Sequence, residues 1–145
     1  MNNAKYLREL DFARADFYQR TGLYQAIQEK GGAVLQGSST IRYRKFIRLF
    51  SVYHITSKII YWDTSSIYME HRFISPGDNF VLAIGLCKQR LLNVDGEEIM
   101  RDLLSAEKSP SGPESAGYTK PEIPLDLMRW MESNEISSAN LRNGC

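Results

Sequence analysis

The first twenty residues follow the period of an amphipathic helix. Between residues 4 and 20, apolar side chains recur three or four positions apart with charged ones between them, the pattern of a helix with one buried face. Gly22 predicts the end of this helix, and a second, shorter helix is predicted from Leu23 to about Lys30. The face expected to pack on the rest of the protein consists of Tyr6, Leu7, Leu10, Ala13 and Phe17.

From Ala33 to Asn93 the period shortens to the alternation of β-strands. Four strands are predicted, within residues 34–47, 52–62, 67–73 and 80–92. The predicted buried faces are Tyr53, Ile55, Ile59 and Tyr61 in the second strand, Ile67, Met69, His71 and Phe73 in the third, and Phe80, Leu82, Ile84, Leu86 and Leu92 in the fourth. A long helix followed by such strands predicts an α+β fold in which the helix covers one face of an antiparallel sheet.

The rest of the chain is predicted to be helical at both ends and flexible between them. A short helix is expected from Glu97 to Leu104, and helical patterning returns between Pro121 and Asn143. The expected anchors of this last segment are Leu127, Trp130 and Met131. The predicted parts are therefore a domain of residues 1–104, a Ser-, Pro- and Gly-rich flexible linker of residues 105–120, and a helical segment of residues 121–145 that packs on the domain.

Composition argues against several classes of function. The 145 residues suit one domain, and a formal net charge of +1 gives no general attraction to nucleic acid. No stretch reaches the ~18 consecutive apolar residues of a membrane span. No metal site is predicted, because neither cysteine has a nearby partner and His54 and His71 lack ligand spacing. Cys87, inside an apolar run, is predicted to be a core residue rather than a catalytic thiol.

Two sequence motifs resemble a known family. Asn2-Asn3-Ala4-Lys5-Tyr6-Leu7-Arg8, followed by Asp11-Phe12-Ala13-Arg14, resembles the motif that opens the central helix of the hotdog-fold thioesterase superfamily. The similarity extends over nearly the whole chain, and further matches to one branch of the superfamily lie at Tyr61–Asp63, Tyr68–Phe73, Pro121–Pro124 and Trp130–Ser138. The resemblance implies a hotdog fold, a homodimer, and substrates that are fatty acyl thioesters of coenzyme A or of a carrier protein. No separate cofactor is implied, since coenzyme A is part of the substrate.

The resemblance also implies a segment before the motif. In the superfamily a strand and a loop precede the paired asparagines, and that loop carries the Asp and His that many members use. Met1 stands where the residue after that His would be. We therefore expect the first strand to be missing from this chain. A longer form is expected in a membrane or the secretory pathway, with its membrane association through the missing N-terminal segment, and the short form in the cytoplasm.

The resemblance implies that Asn3 and Asp11 are catalytic. The N–H groups from Asn3 to Lys5 would stabilise the oxyanion at a helix N-terminus, where unpaired donors and a positive dipole end coincide. The open alternative is that Asn2 and Asn3 only cap the helix. Asp11 would act as base or nucleophile, unless it is simply a solvated or ion-paired carboxylate, with Arg8 or Arg14 as the partner.

The predicted substrate-binding residues are Asn2, Tyr6, Arg42 and Arg44, the two arginines being part of a local basic run. The two arginines are predicted to share one strand face and to hold the phosphates of coenzyme A through their forked donors. A solvated strand that discourages edge aggregation is the alternative for them. His71 is predicted to be a core or interface histidine with one hydrogen bond rather than a catalytic base.

Two functions follow from these predictions. The first is an acyl-coenzyme A thioesterase, or a weakened relative, in lipid metabolism. The second is a catalytically inactive hotdog dimer that binds acyl groups or protein partners.

Overall fold

One antiparallel sheet with a long helix across it forms the centre of the structure. The computed structural model describes residues 3–48, 50–106 and 120–144. The strands pair in the order β1-β4-β3-β2, every neighbour antiparallel. In chain order the elements are α1 (Asn3–Thr21), α2 (Leu23–Glu29), β1 (Ala33–Tyr43), β2 (His54–Trp62), β3 (Ser66–Ile74), β4 (Val81–Leu92), α3 (Gly96–Ala106) and α4 (Leu125–Arg142). The predicted α+β arrangement is confirmed.

The helix α1 packs on the sheet with much of the predicted face. Tyr6 and Leu10 are buried, whereas Leu7 lies at the margin and is 44% exposed. Tyr18, which was not predicted to face the sheet, is buried as well. The helix ends where expected, because Gly22 adopts a left-handed φ of 73° that an L side chain rarely tolerates.

The inner face of β3 is the centre of the core. Its predicted residues Ile67, Met69, His71 and Phe73 are each at most 1% exposed. The apolar packing falls into two clusters. One lies near the first turns of α1 and contains Tyr6, Leu10 and Phe73; the other surrounds the end of α1 and includes Ile67 and Met69.

The predicted face of β4 is wrong at Ile84 and Leu86, whereas Leu82 is buried and Phe80 packs on the core as expected. The strand turns Ala83, Gly85 and Cys87 towards α1, and all three are buried, whereas Ile84 and Leu86 point outward and are partly exposed. The reason is the close approach of the helix: a Cβ on Gly85 would lie 3.1 Å from the side chain of Leu10. Small residues are therefore needed on the face towards α1. A prediction based on hydrophobicity alone chooses the other face, which carries the larger apolar side chains.

A bulge in β2 also interrupts the alternation of inward and outward side chains on which the predicted face of this strand was based. The pairing with β3 slips between Ile59 and Tyr61, so one extra residue lies in β2. Trp62 consequently turns into the core, where it is 4% exposed. Tyr61, which was predicted to share the face of Ile59, instead contacts Tyr68 and lies beneath the ammonium group of Lys120.

The C-terminal helix α4 lies on the outer face of the sheet. Leu127 is buried as expected, Trp130 and Met131 are partly buried, and the side chain of Asn134 donates to Ser38 Oγ at 3.1 Å. The preceding helix α3 continues through Ala106, two residues further than predicted. Most of the predicted linker, residues 107–119, lies outside the described residues.

Candidate active site

The first turn of α1 is anchored by Tyr6. Its ring makes edge contacts with Tyr43 and Phe73, at centroid distances of 4.9 and 5.2 Å. The side chain is 3% exposed, and burial raises the pKa of its phenol even though a hydrogen bond to the backbone of Ile47 acts in the opposite direction. Tyr6 thus positions the helix; the predicted contact with substrate stays a prediction. Asn2 lies outside the described residues, and Asn3 opens α1.

Asp11 lies on the flank of α1 that faces β1. Its side chain is 60% exposed and pairs with the Arg14 guanidinium at 3.0 Å. Arg14, whose side chain is only 18% exposed, also donates to Gln36 on β1. Gln36 accepts a second hydrogen bond from Gln89 on β4 at 2.8 Å. The ion pair with Arg14 was the alternative foreseen for Asp11, and it leaves the carboxylate open to solvent beside a cation.

His71 lies beneath α1 in the middle of the sheet. It is fully buried, and its Nδ1 is 2.8 Å from Ser57 Oγ on β2. No described residue forms a hydrogen bond with its Nε2. Burial lowers the pKa of His71 from 6.5 to about 4, and the charge of Arg14 acts in the same direction. His71 is therefore neutral at pH 7. The expected core histidine with one hydrogen bond is confirmed.

Cys87 is a core thiol, as predicted. It is fully buried, and this burial raises its pKa to about 11. A thiol that stays protonated at neutral pH is a poor nucleophile. The residue fills space under α1 rather than supplying chemistry.

A groove runs between α1 and β2. It encloses about 420 Å³, within the range of ~300–1,000 Å³ that is usual for small-molecule sites. Ile55 and Ser57 line it from β2, and Tyr53 lines it from the position just before this strand. The helix contributes two apolar and three charged side chains: Phe12, Ala13, Glu9, Asp16 and Arg20. Ser57 therefore joins the groove to the buried His71. Ser57 was not among the predicted site residues, because the strand register that sets it opposite His71 cannot be inferred from local sequence patterns.

The two arginines predicted to bind phosphate do not share a strand face. Arg42 is the penultimate residue of β1 and lies opposite Ile84. Arg44 follows the end of the strand, where its N–H and that of Lys45 both donate to the carbonyl of Leu82. Because both N–H groups bind the same carbonyl, the regular hydrogen-bond pairing of β1 with β4 ends here, and Arg44 lies outside the strand. The Arg44 guanidinium then lies 4.6 Å from the centre of the Phe80 ring, in a cation–π contact.

The part of the chain that the structure describes contains neither a cluster of metal ligands nor a membrane-spanning helix. No three His, Cys, Asp or Glu side chains within residues 3–48, 50–106 and 120–144 are grouped to hold a metal ion. Over the same ranges, no helix combines the length and the hydropathy needed to cross a bilayer.

Comparison with known proteins decides the family. Residues 1–131 match the model of the thioesterase-like superfamily. The chain belongs to this superfamily. It is 43% identical over 142 residues to the protein named THEM6 of Drosophila melanogaster and 32% identical to THEM6 of Xenopus laevis, in each case over 98% of the chain. These matches span 68% and 64% of the two relatives, so the chain corresponds to about two thirds of their length.

Solved structures of the superfamily confirm the hotdog fold. The probable thioesterase YbaW from Escherichia coli superposes with a TM-score of 0.65 at 23% identity, over 72% of this chain and 83% of that one. The protein SAV2348 from Staphylococcus aureus, solved in complex with coenzyme A, gives a TM-score of 0.61 at 16% identity, over 86% and 84% of the two chains. At these identities the similarity establishes the architecture alone.

Proposed function

We propose that this protein hydrolyses acyl thioesters of coenzyme A in lipid metabolism. The observation that carries the proposal is the superfamily match over residues 1–131. The groove between α1 and β2 supports it, because its volume suits a small-molecule site and Phe12, Ala13 and Ile55 give it apolar walls. The charged side chains of Glu9, Asp16 and Arg20 also line the groove.

The acyl chain would run along this groove from the first turn of α1. Phe12 and Ile55 would contact its methylene groups. The carbonyl would lie at the start of α1, where the unpaired N–H groups near Asn3 stabilise the negative charge that develops on oxygen. The phosphates of coenzyme A would contact Arg42, with Arg44 held beside Phe80 as a second donor.

Asp11 is the carboxylate proposed to act on the substrate. Eight residues of helix, about 12 Å, separate it from Asn3, so in the proposed homodimer it would act on the carbonyl held at the helix start of the second copy. Asp11 would take a proton from a water molecule as the water oxygen bonds to the carbonyl carbon. The C–S bond then breaks, and the thiolate of coenzyme A leaves and takes up a proton. Arg14, 3.0 Å from the carboxylate, would keep the carboxylate oriented.

Hydrolysis by two matched variants tests this assignment. Asp11→Asn keeps the size of the side chain but cannot accept the proton, so kcat should fall by about 10²-fold or more. Glu132→Gln is the control, because Glu132 is also an exposed helix carboxylate in an i, i+3 pair with an arginine, Arg129. Equal loss of activity in both variants, or none in Asp11→Asn, would remove Asp11 from the mechanism.

An acyl-binding protein without turnover is the second candidate. One observation favours it: the carboxylate of Asp11 is already paired with Arg14 rather than aimed into the groove. Saturable binding of acyl-coenzyme A without release of free coenzyme A would establish this function instead.

Assembly as a homodimer is part of the proposal. The strand order leaves β1 and β2 as the edges of the sheet among the described residues. An edge strand offers unpaired N–H and C=O groups to a second copy. Sedimentation equilibrium should give twice the mass of one chain, and a monomer at all concentrations would contradict the expectation. For a longer form of the protein, the proposed location is a membrane or the secretory pathway.

A further inference from the structure

A second cleft lies on the opposite side of the sheet from α1. It encloses about 530 Å³ between the outer face of β1, β3 and β4 and the C-terminal half of α4. In β4, Cys87 and Gln89 are buried on the side of α1, so the alternating Lys88 and Arg90 point away from that helix. The hydrogen bond from Asn134 to Ser38 closes one side of the cleft.

The cleft carries an excess of positive charge. Lys88, Arg90 and Arg142 line it, against a single carboxylate, Glu135, which gives a formal net charge of +2. Neither Lys88 nor Arg90 forms an ion pair with any described residue. Their Cα atoms are two residues apart along one strand, roughly 7 Å. Two like charges on one face of one strand repel each other, and a bound anion would relieve that repulsion.

Hydroxyl groups complete the lining. Ser38 Oγ accepts from Asn134 and Ser138 Oγ accepts from the Arg142 guanidinium at 3.0 Å. Each hydroxyl therefore keeps its own proton for another acceptor. A phosphate monoester brings three acceptor oxygens and a charge of about −1.5 to −2 at neutral pH, which complements such donors and such a charge.

We propose that the cleft between α4 and the outer face of the sheet binds a phosphate ester. The site is distinct from the proposed thioester site. The proposed acyl groove lies on the face that α1 covers. Arg42 shares the outer face with the cleft, but its partner Ile84 is roughly 20 Å along β4 from Arg90. The proposal stands whether or not the protein hydrolyses thioesters. The phosphate could belong to the nucleotide of coenzyme A or to a phospholipid headgroup, which offer the same chemistry.

Titration calorimetry on the full chain with adenosine 3′,5′-bisphosphate tests the site. Lys88→Gln combined with Arg90→Gln should weaken binding by at least tenfold, because both unpaired cations are lost. Glu135→Gln should strengthen binding several-fold, because the opposing charge is removed; a misfolded variant could not produce that gain. Arg129→Gln is the control, since Arg129 is a cation of the same helix that pairs with Glu132 and does not line the cleft. Its affinity should match that of the unmodified protein.

Flotation with phosphatidylcholine vesicles that contain phosphatidic acid distinguishes the two sources. Binding of the bisphosphate alone identifies a nucleotide site, and binding of the acidic vesicles alone identifies a headgroup site, in each case with the same dependence on Lys88, Arg90 and Glu135. The proposal is overturned if neither probe binds saturably, or if the Lys88→Gln, Arg90→Gln double variant binds as tightly as the unmodified protein.

Discussion

Acid should destabilise this protein through His71. In the folded state burial holds the pKa of this imidazole at about 4, whereas its ordinary value is 6.5. Between pH 6.5 and pH 4, His71 is therefore largely protonated in the unfolded chain and largely neutral in the folded protein. The stabilisation is fully present above pH 6.5 and is lost as the pH falls from there through 4.

The size of the effect follows from the two pKa values. At 1.36 kcal/mol for each pH unit, the full difference corresponds to about 3 kcal/mol. Between pH 7 and pH 5 the part lost is about 2 kcal/mol. That is a large share of the ~5–15 kcal/mol by which a domain of ordinary stability is held folded.

Urea unfolding at pH 7 and pH 5 measures this loss. His71→Gln removes the titrating group but keeps an amide that can bond to Ser57 Oγ, so its loss between the two pH values should be smaller by about 2 kcal/mol. His54→Gln is the control, because His54 is exposed and is the only other histidine. An unchanged pH dependence in His71→Gln would refute the assignment, as would a reduced one in His54→Gln.

Three further substitutions or reactions test the packing. Gly96→Ala would place a Cβ 2.1 Å from the carbonyl oxygen of Asp63 and should lower the free energy of unfolding by about 1–3 kcal/mol. In the control Gly77→Ala the new Cβ meets nothing within 4 Å, so equal urea midpoints for the two variants would contradict the prediction. Phe73→Ala should cost about 3–5 kcal/mol, because the ring is fully buried in the cluster near the start of α1; a thermal melt that moves by less than a few degrees would argue against that packing. Cys87 should resist iodoacetamide in native buffer and react in urea, as followed by peptide mass spectrometry, and rapid native alkylation would show that it is not buried.

Local periodicity was enough to predict much of the fold. The face of α1, the inner face of β3 and the end of α1 at Gly22 each depend on residues close in the chain. The face of β4 could not be predicted this way, because it depends on a contact between elements. Leu10 of α1 lies so close to Gly85 that a larger residue there would crowd it. The bulge that turns Trp62 inward is likewise a property of the pairing between strands.

The candidate site was only partly predictable, for the same reason. Asp11 and its partner Arg14 are three residues apart on one helix, so their pairing could be foreseen. The contact between Ser57 and His71 joins two strands, and that between Arg14 and Gln36 joins a helix to a strand. Such contacts depend on a register that one sequence does not reveal.

Release of free coenzyme A from acyl-coenzyme A, followed over time with a thiol reagent, tests the central proposal most directly. If the protein is a thioesterase, each molecule should release many equivalents of coenzyme A, at a rate that saturates with substrate and depends on the length of the acyl chain. Saturable binding of the same substrates with no release above the uncatalysed rate would contradict hydrolysis and leave an acyl-binding protein.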